Sequence, residues 1–186
     1  MRRRETYATS GTRPTVRFFG GWAFDTTDAQ KPDYAAIGYR KGVPMGGDLT
    51  TAPNGHSPKF LVIASKDPTG ANLDRVQIIK GWLDDTGSTH EKVYNIALSD
   101  NRSVDTTSGK TPPLKTTVNL DTASYSNSTG SPLLATVWKD PDFNASEKAF
   151  YYARVLEIST PRWTTYDAAF YGTKRPDSVP ADIQER

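Results

Sequence analysis

The stretch 59–98, KFLVIASKDPTGANLDRVQIIKGWLDDTGSTHEKVYNIAL, decides the fold. Lys59-Phe-Leu-Val-Ile-Ala-Ser65 is a short apolar run stopped by Asp67-Pro-Thr-Gly70, which reads as a buried strand ending in a turn. Leu73 to Trp82 is a second strand. Asp84-Asp-Thr-Gly87 has the Asp and Gly that hairpin turns favour, and Glu91 to Leu98 follows with bulky Val93, Tyr94, Ile96 and Leu98. Working outward, Thr15 to Trp22 alternates like a strand with a Gly20-Gly21 irregularity. Leu133 to Lys139 and Ala149 to Ile158 are further strands, and Leu114 to Leu120 is a modest one. Short strands at regular spacing, without helical periodicity beyond a turn or two, predict a mainly β, antiparallel, immunoglobulin- or fibronectin-like sandwich with long irregular loops and little helix. That likeness speaks to fold only.

Between and beyond the strands the chain is rich in punctuation. Asp25 to Ser57 reads as irregular, broken by Pro32, Pro44 and Pro53 and by several glycines. A loop of that length packs over something or does something, which singles out Gly42-Val-Pro-Met-Gly-Gly-Asp48. Met1 to Glu5 reads as the last turn of a helix, Thr6 to Ser10 as a short strand, and Asp142 to Lys148 as one helical turn capped by Asp142 or Asn144. The sandwich is expected over 15–160 and an irregular tail over 161–186.

Four Trp, nine Tyr and seven Phe supply the core that an ordinary share of aliphatics does not. The 23 basic and 21 acidic residues are scattered, apart from Arg2 to Arg4, so no nucleic-acid-binding face is expected. There is no cysteine, which removes disulfide and thiolate chemistry. No stretch approaches the ~18 apolar residues of a membrane span, and the basic start lacks the apolar run of a signal peptide.

Each motif with chemical meaning also has a plainer reading. Asp-Thr-Gly-Ser at 85–88 matches the loop of aspartic proteases, but that chemistry needs a second carboxylate loop and none is present, so the hairpin turn is preferred. Asp140-Pro-Asp-Phe-Asn144 with Glu147 spaces oxygens like the start of a calcium loop but lacks the glycine and distal glutamate, leaving an Asx-turn. His56 and His90 stand in unrelated loops and predict no zinc site. Trp82, Trp138 and Tyr152 fall in strands and are expected in the core, whereas Trp163 and Tyr166 are freer. No catalytic residue, no metal ligand and no cofactor is assigned to this chain.

Several long strings taken together resemble one family: Tyr7-Ala-Thr-Ser-Gly-Thr-Arg13, Val16-Arg-Phe-Phe-Gly-Gly-Trp22, Gly42-Val-Pro-Met-Gly-Gly-Asp-Leu49, Ala135-Thr-Val-Trp-Lys-Asp-Pro-Asp-Phe143, Ala149-Phe-Tyr-Tyr-Ala-Arg-Val-Leu-Glu157 and Thr160-Pro-Arg-Trp-Thr164. They are similar to the C-terminal portion of the bacterial domain of unknown function 3604. The resemblance implies a longer parent whose N-terminal part is similar to metal-dependent hydrolases of the polymerase-and-histidinol-phosphatase type, with a divalent metal held by His-rich motifs that have no counterpart here. Residues 1–14 would then be the end of that barrel, and the barrel would be the partner of the sandwich.

The expected function is a non-catalytic accessory region packed on the hydrolase, with Arg13 and Asp48 as binding residues at its active-site rim. The alternative is a carbohydrate- or protein-binding sandwich module that uses Trp163 or Tyr166. Separation from a barrel should leave apolar surface exposed, with Phe18, Phe19 and Trp22 the residues to watch. The sequence assigns no compartment, and a periplasmic or secreted parent stays open.

Overall fold

In the computed structural model, which describes residues 2–53 and 55–186, two antiparallel sheets face each other. The first joins β1 (Thr15–Gly21), β2 (Gly42–Pro44), β3 (Lys59–Ser65) and β6 (Leu133–Lys139) in the order β2-β1-β3-β6. The second joins β4 (Leu73–Leu83), β5 (Thr89–Leu98) and β7 (Lys148–Glu157) in the order β5-β4-β7. A small ladder pairs β8 (Thr160–Pro161) with β9 (Asp182–Ile183). The mainly β, antiparallel expectation holds, as do the boundaries of β3 and β6.

Alternation of side chains sorts each strand into two faces. Phe18, Phe60, Val62, Ala64 and Leu134 from the first sheet meet Leu73, Val76, Ile78 and Val155 from the second in one buried cluster. Strand β3 reads as an unbroken apolar run because its opposite face is buried too. Leu61 and Ile63 pack with Phe19, Phe24, Ala29 and Ile37 in a second cluster on the outer side of that sheet.

The layer covering that outer side comes from the region expected to be irregular. It holds a 3-10 turn (Thr26–Gln30) and helix α1 (Tyr34–Lys41). Pro and Gly hid the helix in the sequence, and its stability comes from docking rather than propensity. Gly38 is the closest point of approach: a Cβ there would stand 2.6 Å from the Phe19 ring. The fully buried Asp28 ties the layer together, accepting from Lys31 and Lys41 at 2.7 Å each and from the Asp25 amide at 2.9 Å. Burial by itself would raise the Asp28 carboxyl, but hydrogen bonds from these two lysines and the amide hold it far below the usual range.

Other expectations are corrected. Residues 2–14 contain neither helix nor strand, and Arg4 is left-handed at φ 56°. The segment is bound instead to the other end of the chain, Ser10 N donating to Arg186 O at 2.9 Å. Residues 114–120 form no strand beyond a single bridge between Asn119 and Ser124, because the Asn119 side chain takes the amides of Asp121 and Thr122 and turns the chain. Residues 142–147 make turns rather than a helical turn. The tail contains α2 (Trp163–Tyr171), closed by left-handed Gly172 at φ 63°. Phe18 and Phe19 are buried and Trp22 is half-buried against Phe143, so exposed apolar surface is not found there. Among the described residues no helix is long and apolar enough to cross a membrane.

Candidate functional site

The inward face of β4 ends on a charge. Lys80 is 2% exposed, and its ammonium lies 2.9 Å from Asp140 Oδ2 and donates to Asp142 O at 2.6 Å. The Tyr151 hydroxyl donates to the same Asp140 oxygen at 2.6 Å. One layer out, Asp142 Oδ2 accepts from Tyr94 at 2.7 Å and pairs with Lys92 at 2.5 Å. Burial first, and then the Asp140 and Asp142 carboxylates they donate to, push the Tyr151 and Tyr94 hydroxyls well above the ordinary tyrosine range. With its partners this close, Lys80 is a structural cation rather than a free nucleophile. The network pins the 140–147 loop against β4 and β5 and so positions the start of β7.

That start, Lys148 to Tyr151, separates two clefts. The first has a volume of about 590 Å³ and runs beneath the Gly42–Asp48 loop, floored by Phe18, Met45, Phe60 and Tyr151 and rimmed by Arg4 and Asp48. Gly46, at φ 79°, lets the Arg4 backbone cross it, since a Cβ would lie 2.4 Å from Arg4 O.

The second cleft, about 630 Å³, opens at the β4–β5 hairpin between Gly81, Trp82, His90, Glu91, Lys148 and Phe150. Phe150 lines both clefts and is 63% exposed. The register sets Gly81 opposite Phe150, and a Cβ on Gly81 would lie 2.4 Å from that ring. The His90 imidazole stacks on the Trp82 indole, centroids 5.2 Å apart and planes 20° from parallel. Its Nε2 is 2.7 Å from Asp84 Oδ2. Asp84 Oδ1 in turn accepts from the Thr86 and Ser88 amides at 2.9 Å. The Thr86 hydroxyl, His90 and these amides hold the Asp84 carboxyl far below the usual carboxylate range. The Asp-Thr-Gly-Ser letters therefore serve a turn, as expected, and that turn also orients His90.

A third feature is α2. Trp163, Tyr166 and Phe170, spaced as one helical face, are 66%, 44% and 82% exposed, and only Thr165 is buried.

The family model described as a protein of unknown function (DUF3604) matches residues 1–186. The chain belongs to DUF3604. No curated protein and no solved structure matches it.

The two binding residues expected from the DUF3604 sequence are not brought into contact. Asp48 is exposed on the first cleft and pairs with Arg4 at 3.1 Å. Arg13 is exposed outside that lining, its backbone amide donating to Asp67 Oδ2 at 3.0 Å. The Asp140–Glu147 oxygens form successive Asx-turns, Asp140 Oδ1 accepting from Asp142 N at 2.9 Å and Asn144 Oδ1 from Ser146 N at 3.1 Å. Trp138 joins the core and Tyr152 is exposed on the outer face, against the core expectation for it. Sequence reasoning missed the second cleft, since Trp82 was assigned to the core and His90 to a loop, whereas His90 stands in β5. The available signal was Gly81 inside an otherwise bulky strand, which marks a close approach.

Proposed function

We propose that this DUF3604 chain is a non-catalytic accessory region of a metal-dependent hydrolase, and that it packs on the metal-bearing barrel through α2. The observation that carries this reading is the exposed stripe of Trp163, Tyr166 and Phe170. Most aromatic residues of a folded chain give up their water contact, and a helical stripe of large rings left in solvent is the pattern of a helix that docks in a groove. Leu120, 49% exposed, lies beside the same helix, lining a cleft with Ala168 and Ala169. Arg13 and Asp48 remain the residues proposed to reach the barrel's rim.

The described residues of this chain do not fit the divalent metal that such a hydrolase would use. Among the described residues no three His, Cys, Asp or Glu side chains come together in a way that could hold an ion. The metal and its ligands are accordingly assigned to the barrel, and no step through a metal is placed here.

The test compares this chain alone with a longer DUF3604 protein that carries it, on phosphate- and sulfate-ester substrates with manganese or zinc. Turnover is expected only from the longer protein, and Phe170→Ala there should weaken the association of the two parts. Metal-dependent turnover by the 186-residue chain would overturn the reading.

A further inference from the structure

We infer that the outer edge of β7 is a homodimer interface, at which a second copy of this chain adds its own β7 antiparallel across a two-fold axis. β7 closes one side of the β5-β4-β7 sheet, so alternate residues aim their backbone groups away from β4. The end of the strand fixes which ones. The Ile158 amide donates to Asn72 O, beside β4, and the Glu157 amide donates the other way, to Glu185 O. The register slip against β4 falls between Leu73 and Arg75, so β7 itself is regular. Counting back in twos from Glu157, Val155, Ala153, Tyr151 and Ala149 aim their amides and carbonyls outward, and these groups have no hydrogen-bond partner among the described residues. From Ala149 to Ala153 the strand carries neither charge nor proline, the devices that keep an edge solitary, whereas the other edge, β5, carries His90, Glu91 and Lys92. The first cleft opens along Lys148 to Tyr151 and leaves the β7 edge accessible.

A second copy is the occupant because this edge is complementary to itself. One antiparallel register pairs all of the outward residues with one another: Ala149 with Val155 of the second copy and Tyr151 with Ala153, in both directions about an axis at Tyr152. The side chains agree with it. Phe150 and Tyr152, 63% and 43% exposed, stand together on the outer face of the sheet, their rings stacked at 6.4 Å. Across the axis Tyr152 faces Tyr152, Phe150 faces Arg154 and Lys148 faces Leu156, so no like charges stand opposite. The neighbouring registers fail. One sets Lys148 opposite Arg154, and the other sets Ala149 opposite Glu157, whose amide already donates to Glu185 O.

This interface does not depend on the barrel partnership, because it lies on β7 and not on α2. Sedimentation equilibrium of the full chain tests it, and a species of twice the 20.5 kDa monomer is expected as concentration rises. Tyr152→Lys and Tyr152→Glu each place like charges on the axis at an exposed position. Each should raise the dimer dissociation constant about tenfold or more. Mixing the two variants should restore the dimer, since unlike charges then meet. Amide hydrogen exchange supplies a reading that needs no variant: the amides of Ala149, Tyr151, Ala153 and Val155 should exchange more slowly in the dimer than in the dilute monomer. A chain that stays monomeric up to about 1 mM, a dimer that Tyr152→Lys leaves intact, or a dimer lost through Phe170→Ala would each overturn the inference.

Discussion

The Lys80 ammonium lies 2.9 Å from the Asp140 carboxylate, with the two side chains 2% and 0% exposed. The lysine comes from the middle sheet strand β4 and the aspartate from the loop after β6, so the pair joins the two sheets at one end of the core. Its rings are aromatic as well: the ammonium sits 5.3 Å from the Trp82 centroid and 5.9 Å from that of Tyr151.

Removing either partner should therefore be expensive. Asp140→Ala leaves a buried ammonium without its counterion and takes the acceptor from Tyr151, and a loss of about 3–5 kcal/mol is expected. Urea unfolding of Asp140→Ala and of Lys80→Met measures it. A loss below about 1 kcal/mol for both would show that water reaches the pair.

Gly38→Ala sets two effects against each other. Alanine improves an exposed helix interior by about 1 kcal/mol. The new methyl would, however, stand 2.6 Å from the buried Phe19 ring, and overpacking of that kind costs about 1–3 kcal/mol. Net destabilisation is expected by chemical denaturation, and partial recovery when Phe19 is shortened to Leu in the same chain.

Glu157 makes stability depend on pH with a definite sign. The residue is 1% exposed, and burial raises its carboxyl above the ordinary glutamate value of about 4.3, with Glu185 and Asp67 adding to the rise and the Thr12 hydroxyl and Lys66 opposing it. A carboxyl whose folded-state value is raised stabilises the fold fully below its unfolded value, and the contribution disappears as pH climbs through the folded one. Glu157→Gln removes this dependence. Thermal melts of both proteins from pH 4 to pH 8 should thus show the variant gaining on the wild type as pH rises, and a constant gap would refute the assignment.

Phe170 and Trp163 are exposed, so Ala at either position should change the stability of the isolated chain by no more than about 0.5 kcal/mol. The same substitutions should lower the binding of an apolar fluorescent dye by the isolated chain. Unchanged dye fluorescence would mean that the α2 stripe is not the accessible apolar patch.

Strands β3 to β7 were legible because their signals are local. Phe60 to Ala64 is apolar without interruption, and Asp67 to Gly70 and Asp84 to Gly87 are turn chemistry written in consecutive residues. Helix α1 was not legible, since Gly38 reads as a breaker until Phe19 is seen beneath it. Helix α2 was missed for a different reason: its aromatics face solvent and only Thr165 points inward, so no apolar period marks a buried side. Trp163 and Tyr166 were rightly read as free.

What the sequence determined by itself, then, is the class of fold and the family, because side-chain alternation, turn residues and long unusual strings are properties of neighbours along the chain. Tertiary structure alone decided the covering layer of α1, the Lys80–Asp140 closure and both clefts. Each of these depends on residues far apart in sequence, such as Gly81 and Phe150, that only strand register brings to one place.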